Sequence, residues 1–190
     1  HKDTLYESTG KKGKSSLRQV DFKTGEILKK IDLNNTYFGE GITILNNKIY
    51  QLTWQSGVGF IYDLKDFKKI DSFKYNQSKE GWGLCNDGNK IFKSDGTEKI
   101  WYLNPETMAE EGHFETVTNT SIFNKANELE YVDGKIYANV YHGIVTEKRW
   151  WLNDHRMNVS AAEVKTVETE WRGIEQVSNQ IKKSEVDIWQ

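Results

Sequence analysis

The sequence predicts an all-β protein built of repeated antiparallel units, and three observations carry that prediction. Short runs rich in Ile, Val, Phe, Tyr and Trp alternate with polar turns from residue 5 to residue 141, the pattern of strands rather than of helices. One unit recurs. "GEGITILNNKIYQLT" (39–53), "GWGLCNDGNKIFKSD" (81–95) and "NELEYVDGKIYANV" (127–140) each pass from a polar or aromatic head through a turn to Lys-Ile-aromatic, and "LYEST" (5–9) is a copy shortened at its front. The Leu or Ile positions 5, 49, 91 and 136 lie 44, 42 and 45 residues apart, a period that signals a repeat architecture.

Between the copies lies a second recurring piece, "LRQVDFKTGEILKKI" (17–31), "GFIYDLKDFKKIDSF" (59–73) and "KIWYLNPETMAEEGHF" (99–114). Each is a β run, a polar turn and another β run, the signature of a hairpin. Two hairpins in roughly 40 to 45 residues make one four-stranded propeller blade, so residues 1–142 are read as β-propeller blades. In such a fold the innermost strands line one channel, and equivalent positions of successive repeats converge there. Glu40, Trp82 and Asn127 occupy nearly equivalent places at the heads of their repeats. From 143 to 190 the blade signature is gone. Val164, Val167, Trp171, Ile174, Ser178 and Ile181 fall three and four apart, which predicts a partly helical divergent tail.

Composition bounds the function classes. A chain of 190 residues with net charge −2 and interspersed charges favours neither nucleic acid nor an anionic surface. No apolar run is long enough to span a bilayer, and no signal peptide stands at the start, as in a mature, processed chain. Cys85, the single cysteine, has no internal disulfide partner and leaves the redox compartment open. His1, His113, His142 and His155 show no close ligand spacing and no HExxH motif occurs, so neither a metal nor a cofactor is expected. "SDG" (94–96) reads as a turn with Asp95 structural, and Trp101 reads equally as propeller core.

The residues with chemical potential cluster at the repeat heads. In "NTYFGEG" (35–41) Glu40 stands between two glycines; it is either a solvated loop glutamate or a carboxylate held at a fixed aim. Glu128 and Glu130, two apart on a strand, point to one face and could serve as a glycosidase-like pair.

Over residues 5–141 the chain resembles the plant and bacterial type of glutaminyl-peptide cyclotransferase, the five-bladed β-propeller enzymes that cyclise N-terminal glutamine. The resemblance rests on "LYESTG", "KSSLR", "YFGEGIT", "QLTW", "GWGL", "SDG" and "NELEYVDGKIYANV" in order. It implies Glu40 as the catalytic carboxylate and Phe38, Trp54 and Trp82 as an aromatic pocket. It also implies Asn127 as a substrate-binding amide, and Tyr141 where the family has a Trp. The family's opening Phe-Thr-Gln-Gly-Leu-like strand and its closing lysine-bearing strands have no counterpart in these letters. Five blades need on the order of 220 residues, so an incomplete ring is expected.

The activity so implied is conversion of an N-terminal glutamine of a peptide or protein to pyroglutamate with release of ammonia. One carboxyl group within reach of both nitrogens could move the proton from the attacking amine to the leaving one. Trp54 and Trp82 would desolvate Glu40 and raise its pKa toward neutrality, and Asn127 could donate to the developing oxyanion. The family resemblance also implies a secreted or periplasmic location. Two other classes remain open: a non-catalytic propeller that binds peptide termini, and a metal-dependent lactonase-like propeller.

Overall fold

Alternation along the strands decides how this chain packs, and β5 (Lys48–Thr53) shows it. Ile49 and Gln51 face one neighbouring sheet, whereas Tyr50 and Leu52 face the other, as successive strand residues must. A strand buried on both faces is one layer among several. The computed structural model describes residues 1–2, 4–117, 121–141 and the strand backbone of 150–153. All of these belong to the first of the two units into which the chain divides, His1–Met157.

Among the described residues, four antiparallel sheets follow one another along the chain. The first holds β1 (Thr4–Thr9), β2 (Ser16–Asp21) and β3 (Ile27–Asp32), and the second β4 (Gly39–Leu45), β5, β6 (Val58–Asp63) and β7 (Lys68–Lys74). The third holds β8 (Leu84–Asn86), β9 (Ile91–Ser94), β10 (Lys99–Leu103) and β11 (Glu110–Glu115); the fourth holds β12 (Ala126–Val132), β13 (Lys135–Val140) and β14 (Trp150–Asn153). Each sheet is a meander of sequential neighbours. The four register positions Leu5, Ile49, Ile91 and Ile136 fall on β1, β5, β9 and β13, so the sequence repeat is the sheet repeat.

Three apolar clusters lie between the sheets in order. Leu17, Ile49, Phe60 and Tyr62 fill the space between the first and second. Tyr50, Leu52, Ile61, Leu84, Ile91 and Trp101 fill that between the second and third, and Cys85, Phe92, Ile100, Leu129 and Ile136 that between the third and fourth. Sheets packed face to face in sequence order, with their first strands β4, β8 and β12 adjacent at one edge, are β-propeller blades. The described part of the chain is all-β.

β14 pairs with β13 from Lys135↔Asn153 to Ala138↔Trp150, so the fourth sheet runs past the boundary expected at residue 142. The helix expected from Val164 to Ile181 lies outside the described residues. Among those residues, no helix is long and apolar enough to cross a membrane.

Candidate active site

The glycines around Glu40 are explained by the strands on either side. A Cβ on Gly39 would lie 2.9 Å from the Thr9 carbonyl oxygen, and one on Gly41 only 2.6 Å from the Trp82 carbonyl oxygen. The Gly41 N–H donates to that same oxygen at 2.7 Å. Neighbouring blades therefore clamp β4 at the two places where only glycine fits. Glu40 stands between the clamps.

A β-bulge sets its aim. The register passes from Gly39↔Thr53 directly to Ile42↔Gln51, so Glu40 and Gly41 together oppose Leu52. The same irregularity recurs in β12, where Ala126↔Val140 is followed by Leu129↔Ala138 and Asn127 and Glu128 oppose Asn139. The Asn139 side chain accepts the freed Glu128 N–H at 2.8 Å. Bulges leave ladder positions unpaired and re-aim side chains.

Aromatic rings form an arc beside Glu40. Phe38 and Trp54 meet edge to face with centroids 5.6 Å apart, as do Trp82 and Tyr141 at 5.8 Å; both geometries suit ring quadrupoles. Tyr141, 58% exposed, forms the open end of the arc. The two halves are joined by a residue that sequence reasoning missed. Glu80 Oε2 accepts the indole N–H of Trp54 and that of Trp82, each at 2.8 Å, while Oε1 takes the Gln55 amide at 3.0 Å. Both indoles thus turn their N–H edges to one carboxylate.

Behind this carboxylate lies a buried ion pair. Lys93 Nζ meets Glu110 Oε1 at 2.8 Å with both side chains essentially solvent-free, and Ser78 Oγ bonds to both. Glu110 Oε2 accepts the backbone N–H groups of Gln77 and Ser78 at 2.5 and 3.0 Å. Burial opposes the Glu110 charge, but the Lys93 and Ser78 hydrogen bonds hold its carboxyl well below the ordinary range. Lys93 also reaches the Glu80 carbonyl oxygen at 3.4 Å and sits 3.8 Å from the Tyr75 ring centroid. The loop carrying Glu80 is thereby fixed from beneath.

Electrostatics single out Glu40. Burial, then the charges of Glu128 and Glu80, push its carboxyl up to about 8 from the ordinary 4.5. Glu128 is reached by solvent yet crowded by protein atoms; that loss of bulk water raises it to about 7 despite backbone hydrogen bonds from Leu84 and Leu129. Burial raises Glu130 as well. Among the described residues, the Glu40 carboxyl has no hydrogen-bond or ion-pair partner. Nor, among them, does any group of three or more His, Cys, Asp or Glu stand ready to hold a metal ion.

Asn127 joins the site through its backbone, its carbonyl oxygen accepting the Ser94 hydroxyl at 2.5 Å. Its carboxamide makes no hydrogen bond among the described residues. Asp95 proves a turn residue, capping Thr97 N at 3.1 Å and accepting the buried Trp101 indole at 2.8 Å. Trp101 is core, with 4% exposure.

The profile of the family described as glutamine cyclotransferase matches residues 1–147. The chain belongs to the glutamine cyclotransferase family. It is 45% identical over 141 residues to a glutaminyl-peptide cyclotransferase of Arabidopsis thaliana, covering 73% of this chain and 43% of that protein. It superposes on the crystal structure of Myxococcus xanthus glutaminyl cyclase with TM-score 0.67 and 31% identity, over 75% of this chain and 59% of that one. The hydrazine synthase of Kuenenia stuttgartiensis, at TM-score 0.54 and 14% identity over 80% of this chain and 43% of that one, shares the fold alone. The chain thus spans less than half the length of the curated cyclotransferase and about three fifths of the solved cyclase.

Proposed function

We propose that this protein cyclises the N-terminal glutamine of peptides or proteins to pyroglutamate, releasing ammonia, with Glu40 as the proton shuttle. The observation that carries the proposal is the Glu40 carboxyl itself: unpartnered among the described residues, set in a bulge beside an aromatic arc, and held at about 8. That value matches the roughly 7.7–8.0 of a peptide α-amine, so proton transfer between the two is close to isoenergetic.

The α-amine attacks the γ-carbonyl carbon, a C–N bond forms, and the amine proton passes to the Glu40 carboxylate. The same proton then goes to the amide nitrogen, whose bond to carbon breaks to release ammonia and leave a five-membered lactam. The two reacting groups belong to one residue, so the pocket needs only to select the folded rotamer. The Phe38, Trp54 and Trp82 rings suit that task, since their faces rather than their polar edges meet the methylenes. With both indole N–H groups committed to Glu80, the donor to the carbonyl oxygen as it gains charge falls to the free Asn127 carboxamide. One well-aimed donor contributes about 3 kcal/mol.

Steady-state ammonia release from a Gln-initiated peptide tests the reading. Glu40→Gln keeps the shape and removes the titrating group, so kcat is expected to fall roughly 10²-fold or more with KM little changed. Near wild-type turnover in that variant would make Glu40 a structural charge. The family reading also carries a secreted or periplasmic location, which fractionation of the producing cells would test.

A further inference from the structure

The two indoles of the pocket are separated by 28 residues of chain, on different blades, yet both end on one oxygen. Two N–H donors at 2.8 Å on Glu80 Oε2 fix where both rings point their N–H edges, because an indole has a single donor, which lies in its ring plane. Charge-assisted bonds of this kind are roughly twice as strong as neutral ones. The carboxylate is itself held: Gln55 binds its other oxygen, and Lys93 Nζ, seated on the Glu110 pair, approaches its backbone carbonyl at 3.4 Å. Beneath Trp82, Gly96 at φ +78° leaves room that a Cβ would fill, at 2.4 Å from the ring. The Trp82 ring is thus set at its edge by Glu80 and at its face by Gly96.

We propose that Glu80 is the positioning residue of the pocket: its carboxylate locks Trp54 and Trp82 into the one arrangement that accepts a folded glutaminyl terminus. This rests on the cyclase reading of the same site. Of the charged residues of the site, Glu80 is the one that bonds to both indoles.

Glu80→Gln retains an oxygen acceptor for the indoles but not the charge, whereas Glu80→Ala loses both. For Glu80→Ala, KM for a Gln-initiated peptide is expected to rise roughly tenfold or more and the near-UV circular dichroism of the indoles to change. For Glu80→Gln, the near-UV spectrum and KM stay close to wild type, the rescue expected of a residue that acts through its acceptor oxygen. Unaltered near-UV spectra in Glu80→Ala, or a Glu80→Gln variant as impaired as Glu80→Ala, would overturn the positioning role. If the wild-type protein releases no ammonia, the cyclase reading falls. The spectra of the two variants then still decide whether Glu80 orders the indoles.

Discussion

Replacing Glu40 by glutamine is expected to make the folded protein more stable while destroying its turnover. The Glu40 carboxyl lies at about 8 in the fold, against an ordinary 4.5. A group whose folded pKa is raised adds its stability below the unfolded value and loses it as pH climbs through the folded one. Near pH 7 the unfolded carboxyl is ionised and the folded one largely protonated, a difference that costs the native state about 3 kcal/mol. Glu40 keeps some solvent contact, so screening leaves about 1–3 kcal/mol. Glutamine is neutral throughout and escapes this cost. In a domain of this size that corresponds to a gain of roughly 2–10 °C in Tm at neutral pH. Melting both proteins by circular dichroism at about pH 4, 5.5, 7 and 8.5 should show a gap that is absent at pH 4, opens from about 4.5 upward and levels off above about 8. A gap independent of pH, or a variant less stable at pH 8.5, would refute the argument.

Three further changes probe the scaffold. Gly41→Ala drives a methyl toward the Trp82 carbonyl and should separate β4 from β8, lowering stability by about 1–3 kcal/mol and kcat/KM roughly tenfold, as read by melting and by ammonia release. Lys93→Met leaves the Glu110 carboxylate buried without its partner and should cost about 3–5 kcal/mol in urea unfolding, most of it recovered in Lys93→Met with Glu110→Leu. Trp101→Phe removes the indole donor from Asp95 and should cost about 1–2 kcal/mol by the same measurement.

The sheet repeat was legible because it is written locally. Lys-Ile-aromatic after an Asn, Asp or Gly turn marks β5, β9 and β13 wherever it occurs, and the alternation of Ile49 and Gln51 with Tyr50 and Leu52 already implies two buried faces. Glu80 was not legible. It stands two residues ahead of the repeat head, in the slot that Phe38 fills one blade earlier, so aligning heads hides it; its meaning comes from indole edges that only the fold brings together. Lys93 reads as an ordinary strand lysine, and its burial is set by Glu110 on β11 and Ser78 before β8. β14 escaped notice because "WWLN" carries no turn or lysine-isoleucine mark. Its strand character depends on pairing with β13.

The repeated bulge shows how a site with distinct parts arises from near-identical units. An inner strand in regular register would keep its head residues in the ladder and face alternate side chains into the apolar clusters on either side. Two residues opposite one release a position from that alternation, and the inner strands β4 and β12 use the device at Glu40–Gly41 and at Asn127–Glu128. In the first copy the carboxylate leads and glycine follows, because the Trp82 carbonyl leaves no room for a Cβ at the second position. In the second the amide leads, and the following Glu128 is kept in place by hydrogen bonds from Leu84 N and Leu129 N to its Oε1 at 3.2 and 3.3 Å. The blade between them supplies no bulge of this kind; its contribution is the loop with Glu80 and Trp82. Glu40, Trp82 and Asn127 therefore come from three successive repeats, each altered at the same edge. The strands behind them remain free to do nothing but pack.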